Sequence, residues 1–226
     1  MAQGTSGATQ YRSKVLKTKR PGFPYRMWVL WLLICGLATA AAFVSVDVPI
    51  ARRVYGLLGR TESLATGFAS AILLGLEAAI ALVLILMRVI RGRLSPFSEA
   101  IVLACLTSIC AYAINDSTLK FFFGVPNPTA VLRGAHHAVH LLSGSSGSSF
   151  PSGHMVLAGA FAGVFMRLYR TSILLFSGLL LVGAALLIVG DWHFISDVIA
   201  GTFAGVSAGL LAGEVWLAHL SRLLRR

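Results

Sequence analysis

The stretches Pro151-Ser-Gly-His154 and His193-Phe-Ile-Ser-Asp197 each lie at the start of a hydrophobic run. A histidine can act as a nucleophile or as a proton donor, and an aspartate four residues later on a helix lies on the same face as that histidine. Gly153 leaves the backbone room beside Ser152, and a helix that begins there offers free N–H groups to an anion. The two stretches together therefore predict a phosphate site.

His193 is the predicted nucleophile, because Asp197 can accept a hydrogen bond from one ring nitrogen and leave the lone pair of the other facing phosphorus. His154 is then predicted to protonate the leaving group and to deprotonate the attacking water. The alternatives are an interfacial polar role for His193 and a helix-capping role for His154. The carboxylate beside His193, together with the second histidine, favours the catalytic interpretation.

The composition is typical of an integral membrane protein. Hydrophobic residues make up 57% of the 226 positions, and the mean hydropathy is +0.81, far above the values of soluble domains. The predicted spans are Met27–Val46, Ala65–Met87, Ser98–Leu119, Pro151–Leu168, Ile173–Gly190 and Val198–Leu217. We therefore expect an all-α bundle of six transmembrane helices over residues 27–226, preceded by a disordered basic tail over residues 1–26.

Lysine and arginine are distributed unevenly between the predicted loops. With the N-terminus inside, the inner segments hold fourteen of the nineteen, and the outer segments hold Arg52, Arg53, Arg60, Lys120 and Arg133. Because cytoplasmic loops retain these residues, both termini are predicted to be cytoplasmic and both histidine stretches to lie at the outer face of a plasma or bacterial inner membrane. Topology also explains the net charge of +11, so no nucleic-acid partner is expected.

These stretches resemble the type 2 phosphatidic acid phosphatase superfamily, which shares its core with vanadium haloperoxidases and is marked by K-x6-R-P, P-S-G-H and S-R-x5-H-x3-D. The second block is intact. The third keeps His193, Ser196 and Asp197 but has leucines in place of its Ser-Arg pair, and the first has Asn127 where the arginine belongs. The resemblance covers about Ala65 to Leu217 and implies a six-helix lipid phosphatase that needs no metal or other cofactor. Both phosphate-binding arginines of the family are missing.

The remaining block residues are predicted to bind the phosphate: Lys120, Ser152, Gly153 and Asn127. Lys120 could instead extend to the membrane interface without touching a substrate. Asn127 can donate a hydrogen bond to a phosphoryl oxygen, but it carries no charge, so we expect weaker catalysis than an arginine would give.

Arg133 is the predicted substitute for the missing arginines. With His136, His137 and His140 it falls at i, i+3, i+4 and i+7, so a short helix would place all four on one basic face. A solvated face of an interfacial helix is the alternative. Zinc binding by His136 and His140 is a weaker hypothesis, because two histidines lack the remaining ligands.

Four features allow more than one interpretation. Glu77 within a span is either functional or a packed, hydrogen-bonded group. Asp191 either raises the basicity of a nearby imidazole or caps the last span. The linker Ser143–Ser149 is either a tether that lets a helix close over substrate or a plain connection. Small residues at every fourth position of the last span favour packing within the chain over dimerisation: Gly201, Gly205, Gly209 and Gly213.

The leading hypothesis from the sequence is a membrane phosphatase that hydrolyses a lipid phosphate or prenyl diphosphate at the outer face through a phosphohistidine intermediate. The second is a transferase that passes the phosphoryl or headgroup to an alcohol on a lipid or glycan. The third is a non-catalytic lipid-binding or transport-related protein. Retention of His154, His193 and Asp197 argues against this last hypothesis, since a site without catalysis has no need of them.

Overall fold

The computed structural model describes residues 25–59, 65–145 and 147–223. The tail predicted for residues 1–26 lies outside these ranges up to position 24, and Tyr25 and Arg26 already belong to the first helix. All regular structure in the described ranges is helical, so the expected all-α architecture is confirmed.

The helices follow one another along the chain as α1 (Tyr25–Ser45), α2 (Asp47–Leu58), α3 (Ala65–Arg91), α4 (Pro96–Ile114), α5 (Lys120–Phe123), α6 (Pro128–Leu132), α7 (Gly153–Leu168), α8 (Ile173–Val189) and α9 (Ile195–Leu223). A π-helical turn, Asn115–Leu119, carries α4 into α5, and a 3₁₀ turn, Arg170–Ser172, precedes α8.

Five stretches of the described chain are long and apolar enough to cross a membrane: Tyr25–Ser45, Ser70–Arg91, Pro96–Leu132, Arg170–Val189 and Ile195–Leu220. The chain is therefore a membrane protein. The span predicted at Pro151–Leu168 is present as α7, but it has 16 residues and falls short of that length. The sequence predicted six spans, whereas the described chain has five helices of spanning length and this shorter one.

Helix α7 lies at the centre of the bundle. Most of its side chains are buried, whereas α1 and α8 bury one and two residues. Leucine, isoleucine and valine side chains along α1, α3 and α8 are instead largely exposed, as expected of helix faces that contact lipid tails. The apolar run of α7 is covered by protein, which is why its sequence looks like a membrane span.

Glycines bring α7 and α9 into close contact. A side-chain carbon at Gly201 would lie 2.6 Å from the carbonyl oxygen of Ser152, and one at Gly163 would lie 2.5 Å from that of Val206. At Gly205 and Gly209 it would overlap with backbone carbonyls of α7. The glycine face of the last helix therefore packs within the chain, as the sequence predicted, and it aligns the starts of the two helices.

The chain between α6 and α7 differs from the predicted basic helix. The helix ends at Leu132, Gly134 has a φ of 109°, and the chain up to His140 has no regular structure. Backbone N–H groups of His140, Leu142 and Gly144 then donate to carbonyl oxygens of Phe123, Phe122 and Phe121 at 2.9–3.0 Å. These bonds satisfy carbonyls at the end of α5 that a helix end leaves unpaired. The prediction that Arg133 and three histidines share one helical face is wrong.

The linker Ser143–Ser149 is closely packed at Gly144. A side-chain carbon there would overlap with the carbonyl oxygen of Lys120 and lie 2.8 Å from the Cα of Gly124. Gly124 itself has a left-handed φ of 58°, which a glycine adopts without strain. The contact ties this part of the linker to the first motif block and favours a fixed connection over a loose tether.

Candidate active site

Two histidines, an aspartate and a serine form one line of contacts at the adjoining starts of α7 and α9. His193 Nδ1 lies 3.4 Å from Asp197 Oδ2, and His193 Nε2 lies 3.3 Å from His154 Nδ1. His154 Nε2 in turn lies 2.8 Å from the hydroxyl of Ser70 on α3. The sequence-predicted trio is therefore brought together, with the aspartate and the second histidine on opposite nitrogens of His193.

The order of these contacts constrains where the protons lie. If the proton of neutral His193 is on Nδ1, facing Asp197, then Nε2 carries the lone pair. His154 must then donate from Nδ1 to that lone pair. The Ser70 hydroxyl donates to Nε2 of a neutral His154 and accepts from Nε2–H when His154 is charged. In this arrangement His193 Nε2 presents the lone pair, and His154 Nδ1 carries the proton nearest to it.

Asp197 is held by the start of its own helix. Its side chain is fully buried, and its Oδ2 accepts a hydrogen bond from the backbone N–H of Phe194 at 2.8 Å. This is the second half of a capping box, in which the third helical residue closes back on the N-cap. The bond fixes Asp197 beside His193, so the carboxylate has one orientation toward the ring.

Ser152 and Gly153 form the start of α7. Ser152 is buried and its hydroxyl accepts from the N–H of Met155, which makes it the N-cap of α7. Its own N–H donates to the carbonyl of Asp197 at 3.1 Å. A side-chain carbon at Gly153 would lie 3.0 Å from the ring of Tyr112 and 3.6 Å from Lys120 Nζ. The room that Gly153 provides is used by these two side chains.

Lys120 is buried rather than extended to the interface. It is 7% exposed, and its Nζ donates to Asp116 Oδ1 at 2.9 Å, one helical turn earlier. With its ammonium beside the start of α7, Lys120 lies close to the predicted phosphate position. Asp116 is the acceptor that an incoming phosphate would have to displace or share.

Asn127 and Arg133 flank the short helix α6. The side-chain oxygen of Asn127 caps this helix by accepting from Ala130 N at 2.8 Å, and its Nδ2 lies 3.4 Å from the carbonyl of Gly147. Both ends of the amide are thus engaged in local structure, an explanation for Asn127 other than phosphate binding. Arg133 is exposed at the other end of α6.

Several buried partners of the site lack any motif that could have identified them. Ser70 reaches His154 from α3, and Asp47 reaches Ser196, the neighbour of Asp197, from the start of α2. His137, predicted to lie on an exposed basic face, instead turns inward to Asp47, with 3.6 Å between Nε2 and Oδ2. Buried polar groups far apart in sequence give no local signal.

The sequence left the roles of Asp191 and Glu77 open. Neither residue takes part in the hydrogen bonds of the histidine pair. Asp191 lies just beyond the end of α8 with a left-handed φ of 57°, and its N–H donates to Ile188 O at 3.1 Å. Its position ends α8 rather than capping α9, and burial raises the pKa of its carboxyl. Glu77 of α3 contacts Ser108 of α4, a contact between packed helices.

In the described part of the chain, no three histidine, cysteine or acidic side chains come together as metal ligands. His136 and His140 are both exposed, and the zinc hypothesis gains no third ligand from these residues.

His137 gives stability a specific pH dependence. Burial lowers the pKa of its ring below 6.5, against the opposing charges of Asp47 and Asp197. The unfolded chain therefore binds this proton first, and stability is lost as the pH falls through the window just below 6.5. Burial also raises the pKa of the Asp47 carboxyl above 3.8. This shift has the opposite effect on stability, which it increases as the pH falls toward 3.8.

We expect the unfolding midpoint of wild type to fall further than that of His137→Phe when the pH is lowered from about 7.5 to 5.5. Thermal unfolding in detergent measures this difference. His136→Phe, at an exposed neighbour, should follow wild type, and identical curves for wild type and His137→Phe would contradict the assignment.

The fold and the site define a helical membrane protein with a His-His-Asp centre at one end of its two most closely packed helices. A model of the PAP2 superfamily, the type 2 phosphatidic acid phosphatases, matches residues 100–219. The match covers more than half of the chain, which therefore belongs to the PAP2 superfamily. Searches of curated proteins and of solved structures gave no match. Members of the superfamily are generally phosphatases, so the chain is a membrane protein of the phosphatase or phosphotransferase type.

Proposed function

We propose that the protein hydrolyses a lipid phosphate or prenyl diphosphate at the outer face of the membrane through a phosphohistidine intermediate. The observation that carries this proposal is the line of contacts from Asp197 through His193 and His154 to Ser70. It gives a nucleophilic nitrogen oriented from one side and a proton donor on the other. This is the arrangement that a two-step displacement at phosphorus needs.

In the first step, the lone pair of His193 Nε2 attacks phosphorus and the bond from phosphorus to the leaving oxygen breaks. His154, as the imidazolium, transfers its Nδ1 proton to that oxygen, and the lipid alcohol or prenyl monophosphate departs. The hydrogen bond from His193 Nδ1–H to Asp197 strengthens as the ring becomes positively charged. Ser70 holds the other end of the His154 ring.

In the second step, the now neutral His154 takes a proton from water as that water attacks phosphorus. The phosphorus–nitrogen bond breaks, and its electron pair returns to His193 Nε2. Inorganic phosphate leaves, and both histidines are back in their starting protonation states. An alcohol in place of water would give the transferase reaction from the same intermediate.

The charge of the phosphoryl group is met by fewer cations than in family members that keep both motif arginines. Lys120 supplies one buried positive charge beside Gly153, and the start of α7 adds the partial positive charge of a helix N-terminus. Arg133 is exposed on the segment between the first two motif blocks and is proposed as a second, more distant cation.

The outer location is supported by the distribution of cations along the sequence. The same topology places Lys120, His154 and His193 on one side of the membrane. The opposite end of the α7 and α9 pair carries an ion pair, with 2.6 Å between Arg167 Nε and Glu214 Oε2. With cytoplasmic termini, that ion pair lies inside and the histidines lie outside.

The test is phosphate release by the purified protein from a panel of phosphatidate, phosphatidylglycerophosphate and prenyl diphosphates, with and without an added alcohol. Phosphate release supports hydrolysis, and a phosphorylated alcohol supports transfer. Absence of both products with every substrate would refute the catalytic proposal. Release of phosphate from a membrane-impermeant substrate by intact spheroplasts supports the outer location, whereas release only after lysis refutes it.

We expect Lys120→Met to lower kcat/KM by about 10²- to 10³-fold, the loss for removal of a charged contact to the transferring group. Arg133→Ala should lower kcat/KM by about tenfold or less and mainly raise KM, because an exposed cation acts through solvent. Steady-state kinetics compare the two variants, and Arg93→Ala, two residues after the end of α3, serves as a cation control. A smaller loss for Lys120→Met than for Arg133→Ala would reverse the assignment of the main phosphate cation.

A further inference from the structure

The first turn of α9 depends on a carboxylate from another part of the chain. This helix starts after Phe194, whose side chain offers no oxygen to cap the exposed N–H groups. Asp197 takes the N–H of Phe194. The N–H of Ser196 donates instead to Asp47 Oδ1 at 3.0 Å, and the Ser196 hydroxyl donates to Asp47 Oδ2. Asp47 therefore caps α9 from the start of α2.

Asp47 is itself fixed from several directions. It is 1% exposed, and its Oδ2 lies 3.6 Å from Nε2 of His137. The His137 ring packs between Phe43 and Phe194, with ring centres 4.2 Å and 4.3 Å away. A buried carboxylate that accepts a hydrogen bond on each oxygen and has a packed imidazole beside it has little freedom to rotate. The unit of Asp47, His137 and Ser196 is thus a rigid support on one side of the 193–197 turn.

This support lies one residue from both members of the His193–Asp197 pair. Ser196 precedes Asp197, and Phe194, on which His137 packs, follows His193. Displacement of Ser196 would rotate the Asp197 carboxylate away from His193 Nδ1, a contact that is already 3.4 Å long. A displacement of about one ångström in such a contact lowers the reaction rate markedly, because the nucleophile is no longer held in its attacking geometry.

We propose that Asp47 is a positioning residue for the His193–Asp197 pair, acting through Ser196 and braced by His137. The proposal rests on the proposed function for its kinetic consequence. Asp47 acts on the orientation of the His193–Asp197 pair and does not contact the reacting nitrogen. Its loss therefore slows the chemical step and leaves substrate binding nearly unchanged. Its role is separate from the motif blocks, since Asp47 lies 149 residues before Ser196 in the chain.

The first test is Asp47→Asn, which keeps one oxygen for the Ser196 N–H but removes the charge and the second acceptor. We expect kcat to fall about 10- to 100-fold with KM changed by less than about threefold. Ser196→Ala, which loses the hydroxyl bond alone, should show a smaller loss of the same kind. Asp191→Asn removes a carboxylate from the loop after α8 and should stay within about twofold of wild type.

A double-mutant cycle separates positioning from general destabilisation. In the Asp197→Asn background, where the orienting carboxylate is already gone, Asp47→Asn should add less than about threefold to the loss of kcat. Full multiplication of the two losses would overturn the proposal. So would a kcat for Asp47→Asn equal to that of wild type.

A second readout needs no turnover. Diethyl pyrocarbonate modifies accessible histidines, and His193 is 9% exposed whereas His136 is exposed. We expect Asp47→Asn to raise the rate of His193 modification at least about fivefold relative to His136, read by peptide mass spectrometry. An unchanged ratio would overturn the positioning role. A raised ratio in a protein that hydrolyses nothing would support positioning while refuting the proposed function.

Discussion

Replacement of His193 by alanine is expected to lower turnover on the order of 10⁴-fold or more, because in the proposed mechanism the covalent intermediate forms on its ring. Rapid acid-free quenching of wild type with a ³²P-labelled substrate should trap an acid-labile, base-stable phosphoenzyme that the variant lacks. His136→Ala, at an exposed histidine, is the matched control and should retain both activity and label. Label in His193→Ala equal to that of wild type would exclude His193 as the nucleophile.

His154→Ala separates the two steps of the same mechanism. With an aryl phosphate, whose leaving group needs no proton, the first step should proceed while the second lacks its base. The phosphoenzyme should therefore accumulate in this variant, and slow release of phosphate should follow. With an alkyl phosphate neither step has its proton transfer, and little label should appear. Equal labelling by both substrates would contradict the role of His154 as general acid.

Replacement of Gly209 by leucine is expected to prevent assembly of the bundle. A carbon at this position would overlap with the carbonyl of Ala160 and lie 2.7 Å from the backbone N of Val164 and 2.8 Å from the Cα of Gly163. All three obstacles are backbone atoms, so relief requires separation of α7 from α9. Overpacking against side chains that can move usually destabilises a protein by about 1–3 kcal/mol. We expect the loss of stability in Gly209→Leu to exceed that range, because backbone atoms cannot move aside.

The matched control for this prediction is Gly183→Leu in α8. Gly183 has no heavy atom within 4 Å of an added carbon, and both glycines lie in apolar helices. Yield in detergent and the unfolding midpoint measure the difference: Gly183→Leu should resemble wild type, and Gly209→Leu should aggregate or unfold at least about 10 °C lower. Equal midpoints for the two variants would show that α7 and α9 are not packed through this face.

The fold could be predicted from the sequence where a single helix carries its own signal. The lengths of the apolar runs predicted the helices. The four-residue spacing of Gly201, Gly205 and Gly209 predicted a closely packed face on the last helix, which contacts α7. The same length criterion counted α7 as a full span, because burial in protein and burial in lipid select the same apolar side chains. Only the number of residues in its helix distinguishes α7.

The contacts within the candidate site could be predicted where its residues share a motif. His154, His193 and Asp197 meet as expected, because the intact second block and the retained part of the third carry their spacing. Ser70 and Asp47 could not be predicted, since each reaches the site from a different helix. The predicted basic face at Arg133 failed for a local reason: the pattern fitted a helical period, but the chain at positions 140–144 pairs with the end of α5 instead.

The shortness of α7 bears on the depth of the histidine pair in the membrane. Its 16 residues span about 24 Å, against a hydrocarbon thickness of about 30 Å. In the proposed topology, with the Arg167–Glu214 ion pair at the cytoplasmic boundary, His154 at the other end of α7 would lie several ångströms below the outer headgroup plane. On the proposed function, a phosphorylated lipid would either enter the bundle or meet a locally thinned bilayer. The thickness of the membrane would thereby affect how far the lipid headgroup lies from His154, so the same lipid would reach the site differently in thick and thin membranes.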